Sequence, residues 1–367
     1  MKFSAPVKPL LAALAPAAKI APSKSTIPIL ANVLIEADGE GIVFVANDLD
    51  MAVRSRCAAR VAAPGRATVA AHILLDILRK LDGAGEAALE LTDKGLSLRS
   101  GRARFALATL PAEDFPAFDA QPLPQGFSAS AKTIAAMLAD VAHAISTEET
   151  RYYLGGVFVH HAEESDALRF VATDGHRLAQ IDKEAPDGVA GMPGVIAPRR
   201  ACAEIARLCA GADGEARLSL SPAQLRVELG DVVLTTKLID GTFPDYRRVV
   251  PANPHRLTLA RAALAAAVDR VATISSERGR AVKLGVGDGL LTISVANPDA
   301  GSAAEEIECD WPHAPIEIGF NAAYLLEALA TLSGESVAFE LDTPGSPAVL
   351  RDPARAGHLI VLMPLRV

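Results

Sequence analysis

Cysteine is scarce and badly spaced for chemistry: Cys57, Cys202, Cys209 and Cys309 contain no C-x-x-C pair, and only Cys202 and Cys209 are close enough to share a helix. That argues against a zinc ribbon and against a disulfide framework. No run of 18 apolar residues without a charge occurs, so no membrane span is expected. No G-x-x-x-x-G-K-[ST] loop is present, so any ATP hydrolysis must come from a partner. Basic residues are in deficit, 36 against 44 acidic, for a net charge of −8. A uniformly basic surface of the kind that adheres to nucleic acid is thereby excluded, whereas local basic patches are not.

What remains is a chain that folds. Half of its 367 residues are apolar and 22% are charged, inside the globular range. The length exceeds what one hydrophobic core supports and implies two or three domains. The N-terminal stretch through Lys24 has a Lys, apolar residues and small residues, but Pro6, Pro9, Pro16 and Lys19 interrupt any signal-like core. A mature amphipathic helix and a soluble cytoplasmic protein are expected instead.

Three anchors recur in order along the chain. The first is an apolar residue followed by helical spacing: Phe3 with Leu10 and Leu14, Phe127 with Ile134 and Leu138, Leu257 with Leu264 and Val268. The second is a β-rich run closing on a polar turn, at 43–48, 169–174 and 292–298. The third is an amphipathic segment around Leu78 and Leu81, Ile205 and Leu208, Leu329 and Leu332. Proline-rich linkers at 110–127 and 239–255 share a Phe-Pro pair, Phe115-Pro116 and Phe243-Pro244. Internal repetition therefore divides the chain into domains 1–120, 128–250 and 256–367.

Period-two alternation at 95–100, 224–230 and 290–296 predicts strands, and Asp-Gly pairs at 38/39, 240/241 and 288/289 predict tight turns. The fold class is α+β, antiparallel sheets with helices packed on one face. Six helices are expected at 7–20, 70–81, 131–145, 197–208, 261–274 and 321–332. They carry ten basic residues against five acidic, while the rest of the chain carries 26 against 39. Helices facing one way would form a basic surface suited to phosphates, with few Asn or Gln side chains to read bases.

Asp174 and His176 are two residues apart, the spacing of an acid/base or metal pair. The corresponding turns at 46–48 and 296–298 lack a following His, so no catalytic, cofactor-binding or metal-binding residue is assigned. His160 and His161 are expected to face solvent at a strand edge. A hydrolase centred on Asp174 and His176 and a monomeric three-domain scaffold are the competing readings.

Several stretches carry a family resemblance: RYYLGG (151–156), ATDGHRLA (172–179), IDGTFPDYRRVVP (239–251) and VLMPLRV (361–367), supported by STIPILANVLIEA (25–37), VIAPRR (195–200) and GFNAAYLLEAL (319–329). Together they resemble the bacterial DNA polymerase III beta subunit, the sliding-clamp family, over essentially the whole chain. The resemblance implies three clamp domains per subunit and a head-to-tail homodimeric ring, with helices lining the inside and sheets outside. It implies double-stranded DNA, without sequence preference, as one partner. Replicative polymerase, clamp loader and repair proteins would bind through short linear peptides.

By motif position the resemblance implies DNA-facing Lys24, Arg79, Lys80, Tyr152, Tyr153, Arg199, Arg200, Arg207 and Arg270. It implies a peptide groove containing Leu154, Thr173, Gly175, His176, Arg177, Leu178, Pro244, Arg248, Val249, Val361, Leu362, Met363, Pro364, Leu365, Arg366 and Val367. Two departures stand out. Glu148 replaces a commonly uncharged residue before RYYL, which argues against DNA contact there, and Gly279 replaces a larger apolar residue, which should widen one groove wall. Leu74, Ile77 and Leu78, with the strand around Lys283 to Val286, are the expected surroundings of a dimer interface.

Overall fold

A computed structural model describes residues 1–81, 83, 85–118, 121–275 and 281–366. All six expected helices form: α1 (Val7–Ile20), α2 (Ala71–Lys80), α3 (Ala131–Ala142), α4 (Arg199–Ala210), α5 (Arg261–Ala272) and α6 (Ala322–Thr331). Each buries one stripe. In α5 this is Leu264, Ala267, Val268 and Val271, and in α2 it is Ala71, Leu74, Leu75 and Leu78, the spacing of one helical face. Asn321 caps α6, its side-chain oxygen accepting from the backbone N–H groups of Ala323 and Tyr324.

The chain divides into two compact units. The first comprises Met1–Ala135 with Arg207–Leu238, the second Ala136–Ala206 with Ile239–Val367. In the first, a five-stranded sheet runs Arg60–Ala63, Lys2–Pro6, Glu86–Thr92, Gly95–Ser100, Ala103–Leu107. An eight-stranded sheet runs Gln125–Ser130, Glu215–Leu220, Gln224–Leu229, Val232–Lys237, Met51–Cys57, Gly41–Asn47, Asn32–Asp38, Gly65–Ala70.

In the second unit, an eight-stranded sheet runs Val195–Pro198, Gly156–Ala162, Ala167–Thr173, Arg177–Glu184, His358–Leu362, Ala348–Arg351, Ser336–Leu341, His255–Ala260. A four-stranded sheet runs Gly301–Glu308, Leu290–Asn297, Ala281–Gly287, Ile316–Asn321. Every described pairing within these sheets is antiparallel, as the alternating sequences predict.

The repeat is visible in element order: strand, helix, strands, helix, three strands, three times over. Consecutive repeats meet by strand pairing. Val232–Lys237 of the middle repeat pairs with Met51–Cys57 of the first, and Arg177–Glu184 of the middle repeat pairs with His358–Leu362 of the third. Each half of the middle repeat is thus continuous with a neighbour's sheet, which is why compactness cuts through it.

Several expectations change. Asp38-Gly39 and Asp288-Gly289 turn hairpins, but Asp240-Gly241 lies in the linker after Val232–Lys237. His160 is buried, stacked on Phe158 at 4.7 Å and covered by Tyr246 of the 239–255 linker, whose hydroxyl lies 2.9 Å from its Nε2. His161 is bound to Asp166 at 2.9 Å. Leu74 and Leu78 are fully buried, and the strand containing Lys283 to Val286 is paired on both edges. Among the sheet-edge strands are Ala103–Leu107 in the first unit and Gly301–Glu308 in the second. Gly279 lies outside the described residues.

Candidate functional site

Three segments converge in the second unit. Leu154, Leu178, Phe243, Tyr246 and Val361 share one apolar cluster with Val171 and Ile196. Phe243 stacks on Phe158 at 4.9 Å, and this anchors the 239–251 linker to the sheet. Beside these buried anchors the linker and the C-terminal tail leave apolar side chains in solvent: Val249 is 48% exposed, Met363 43% and Leu365 37%. Large apolar groups exposed next to a packed floor are the features of a surface that receives another chain's apolar side chains. Pro244 and Arg248 are exposed on the same linker.

The turn before Leu178 is held by its own polar residues. Asp174 Oδ1 accepts from the N–H groups of His176 and Arg177 at 2.8 and 3.0 Å, and Thr173 Oγ1 donates to the Arg177 carbonyl at 2.7 Å. Asp174 therefore serves the backbone rather than a proton relay. Gly175 has φ +89°, which favours glycine; the atom nearest to a Cβ there, Arg151 Nη1 at 2.5 Å, is the end of a flexible side chain that can give way. Arg151 is itself bound to Glu148 at 2.8 Å, which holds the exposed Glu148 carboxyl below its usual range.

The tail continues the site. The Met363 N–H donates to the His176 carbonyl and the Leu365 N–H to the Gly319 carbonyl, at 3.0 and 2.8 Å. His176, Met363, Pro364, Leu365 and Arg366 thus border a cavity of about 420 Å³ together with Ala281, Asn321 and Tyr324. The last three were missed from sequence, although Asn321 and Tyr324 lie inside the GFNAAYLLEAL stretch. Val367 lies outside the described residues.

Two residues assigned to the groove lie on the other face of the strand pair from its apolar floor. Arg177 stands directly opposite Leu362 in the strand pair, so both face away from Leu178 and Val361. Arg177 binds Asp174 at 3.1 Å and Glu327 of α6, and lies over the Tyr324 ring at 4.1 Å. It ties sheet to helix. Leu362 is 1% exposed.

Behind the strand lies a buried polar cluster. Arg355 holds Asp140 through paired contacts, Nη1 to Oδ1 at 3.0 Å. The ring nitrogens of His143 and His358 are enclosed without a hydrogen-bond partner. Burial, then the charge of Arg177 and neighbouring His358, lowers His143 to about 4, and burial lowers His358 as well. Both are neutral at pH 7. Burial also pushes the Cys202 thiol up to about 12 and that of Cys209 up to about 11, so neither is a thiolate at neutral pH.

The residues expected to face DNA are mostly exposed. Lys24 lies in the loop after α1, Arg79 and Lys80 in the last turn of α2, and Arg199, Arg200 and Arg207 along α4. Tyr152 is 58% exposed and meets half-buried Tyr153 edge-on at 5.7 Å. Arg79 is paired with Asp76 at 3.4 Å. Arg270 is bound by Glu305 at 2.9 Å, which offsets its charge.

Family models for the DNA polymerase III beta subunit match in series: its N-terminal domain over residues 1–119, its central domain over 129–245 and its C-terminal domain over 247–366. The chain belongs to the DNA polymerase III beta subunit family. It is 44% identical to the beta sliding clamp of Caulobacter vibrioides over 372 residues and 34% identical to that of Escherichia coli K12 over 369, with all of each chain covered.

Among solved structures, a sliding clamp from Bartonella birtlesii bound to griselimycin matches over the full length of both chains with a TM-score of 0.96 at 43% identity. The clamp from Pseudomonas aeruginosa matches over both full lengths at 0.94 and 33%. The architecture is the three-domain clamp fold, and the protein functions as a DNA sliding clamp, a processivity factor for DNA replication. No helix among the described residues is long and apolar enough to cross a membrane.

Proposed function

We propose that two copies of this chain close head to tail into a ring around duplex DNA, through which the polymerase is tethered by short peptides. The observation that carries this is the repeated junction. At both junctions inside the chain, the third strand after a repeat's first helix pairs with the last strand after the next repeat's second helix. In the first repeat the short strand Arg60–Ala63 joins the other sheet and leaves this rule intact.

Applied once more, the rule pairs Gly301–Glu308 of the third repeat with Ala103–Leu107 of a second copy. Both are sheet-edge strands, and their chemistry is complementary: Arg102 and Arg104 at one, Glu305, Glu306 and Glu308 at the other. Domains 1–120, 128–250 and 256–367 each supply one helix pair to the inner wall. Exposed Lys24, Arg79, Lys80, Tyr152, Arg199, Arg200 and Arg207, with half-buried Tyr153, would touch phosphates weakly enough to slide, while Glu305 screens Arg270.

Partner peptides of the polymerase, clamp loader and repair proteins would set apolar side chains against Val249, Met363 and Leu365 and polar ones near His176 and Arg248. The clamp acts in the cytoplasm, where the chromosome is copied, and does no chemistry of its own. Native mass should be about twice 38.2 kDa, and the loaded clamp should stay on circular DNA and leave linear DNA. A monomer that binds peptides but is not retained on circles would establish the scaffold reading instead.

A further inference from the structure

A second pocket lies in the first compact unit, about 550 Å³ in volume, between one face of the eight-stranded sheet and the 115–118 linker. Its position follows from the repeat. In both units the hairpin turn has the same hydrogen bonds: Asn47 Oδ1 accepts from Leu49 as Thr173 Oγ1 accepts from Gly175. Asp48 Oδ1 accepts from Asp50 and Met51 as Asp174 Oδ1 does from His176 and Arg177. Leu49 even takes the left-handed conformation of Gly175, φ 81° against 89°.

The neighbouring chain also matches. The Lys237 N–H donates to the Asp50 carbonyl at 2.8 Å as the Met363 N–H does to that of His176 at 3.0 Å. Phe115 packs on Val45 as Phe243 packs on Val171. Residue for residue, Ala52 then stands where the C-terminal groove has Leu178, Thr235 where it has Val361, and Pro116 where it has Pro244. All three line the pocket.

The differences define a ligand. Ala52 in place of leucine leaves space under the linker for an apolar side chain. The rim is biased to positive charge. Arg54 and Arg66 share the single carboxylate of Glu36, at 2.9 and 3.3 Å, and Arg226 has no carboxylate within ion-pair distance among the described residues. Glu228 leaves three arginines against two glutamates.

We infer that this pocket is a second peptide site, which takes an extended segment of a partner protein placing an aliphatic or aromatic side chain over Ala52 and an adjacent Asp or Glu on Arg226. The inference rests on the reading of the C-terminal groove as a peptide site, and the test separates the two.

A fluorescein-labelled acetyl-Gly-Asp-Leu-Phe-Gly peptide is titrated by anisotropy into the full chain and into a chain lacking Met363 to Val367. The truncated protein should still bind. In that background Ala52→Leu, which restores the leucine of the other groove, should weaken binding about tenfold, and Arg226→Gln about fivefold. A probe with Lys in place of Asp should bind less tightly by a similar factor. Circular dichroism verifies folding of each variant, and the surface Arg226→Gln variant and the Lys probe decide the matter should Ala52→Leu fail to fold.

Binding that vanishes on tail deletion alone overturns the second site and leaves the groove standing. Binding indifferent to tail deletion but lost in Ala52→Leu supports the second site and counts against the groove. Affinity unchanged by Ala52→Leu, Arg226→Gln and the Lys probe in the truncated chain overturns the inference outright.

Discussion

Acidification should weaken the second compact unit through His143. Folded, this imidazole is lowered by burial, and then by Arg177 and His358, from 6.5 to about 4, with Asp174 and the Asp140 backbone opposing. Between those two values the unfolded chain binds more protons than the folded one. Stability is therefore full above pH 6.5, falls as pH drops, and levels off below 4. Full burial would set the loss at about 2 kcal/mol by pH 5, and partial exposure of the residue trims it to about 1 to 2 kcal/mol. His358, also lowered by burial, adds in the same direction.

His143→Leu removes the titrating ring and no well-formed hydrogen bond, since the ring nitrogens have only the weak attraction of the Asp140 backbone. Urea unfolding at fixed protein concentration can be followed at Trp311, the single tryptophan, buried in the same unit. Between pH 7 and pH 5 the parent should lose about 1 to 2 kcal/mol more than the variant. Carboxylates titrate in both proteins and cancel in the difference. Parallel losses would refute the reasoning.

Replacing Arg199, Arg200 and Arg207 with Ala should leave the melting temperature nearly unchanged, since an exposed charge contributes less than about 1 kcal/mol, yet shorten retention on circular DNA most at raised salt. Leu107→Asp on the open Ala103–Leu107 edge should raise the monomer–dimer dissociation constant at least about tenfold in sedimentation experiments, without altering the circular dichroism spectrum. Deleting Met363 to Val367 should cut affinity for a polymerase-tail peptide by about tenfold or more while dimer mass stays constant. Gly175→Ala, forced into φ +89°, should cost about 1 to 2 kcal/mol in urea melts and weaken the same peptide.

The helices were legible because each has a 3.6-residue stripe that tertiary packing did not override. The strands were legible because alternation survives wherever one sheet face meets a helix. What local pattern could not give was pairing across a hundred residues or more, such as Thr236 against Met51 or Leu362 against Arg177. That pairing decides which side of the sheet each groove candidate occupies. Alternation alone, applied to Arg177-Leu178 and Val361-Leu362, would have separated the two faces and removed Arg177 and Leu362 from the groove. His160 was misplaced for a related reason: it is buried by Tyr246 of a linker far along the chain, a contact no local pattern shows. Asn321 and Tyr324 carry no signal for a binding site in sequence, since a helix cap and a helical tyrosine are ordinary structural residues. The pairing of Arg270 with Glu305 brings together two distant segments and is equally silent.

The linkers bear on where a dimeric ring of this chain would open. Each junction inside the chain is strapped as well as paired: Phe115 anchors the 110–127 linker on Leu34, Val43 and Val45, and Phe243 anchors the 239–255 linker on Leu178 and Val361. A covalent connection keeps the paired strands at high local concentration, and the buried aromatic adds apolar area that must be re-exposed before they part. The junction proposed between Gly301–Glu308 and Ala103–Leu107 has neither, because no linker runs from one copy to the next. It relies on the strand pair, a few half-exposed apolar groups such as Phe105, Leu107 and Ile307, and charge complementarity that salt screens. With the same strand geometry and fewer restraints, this junction would part first, and the proposed ring would admit DNA there while both compact units stay folded.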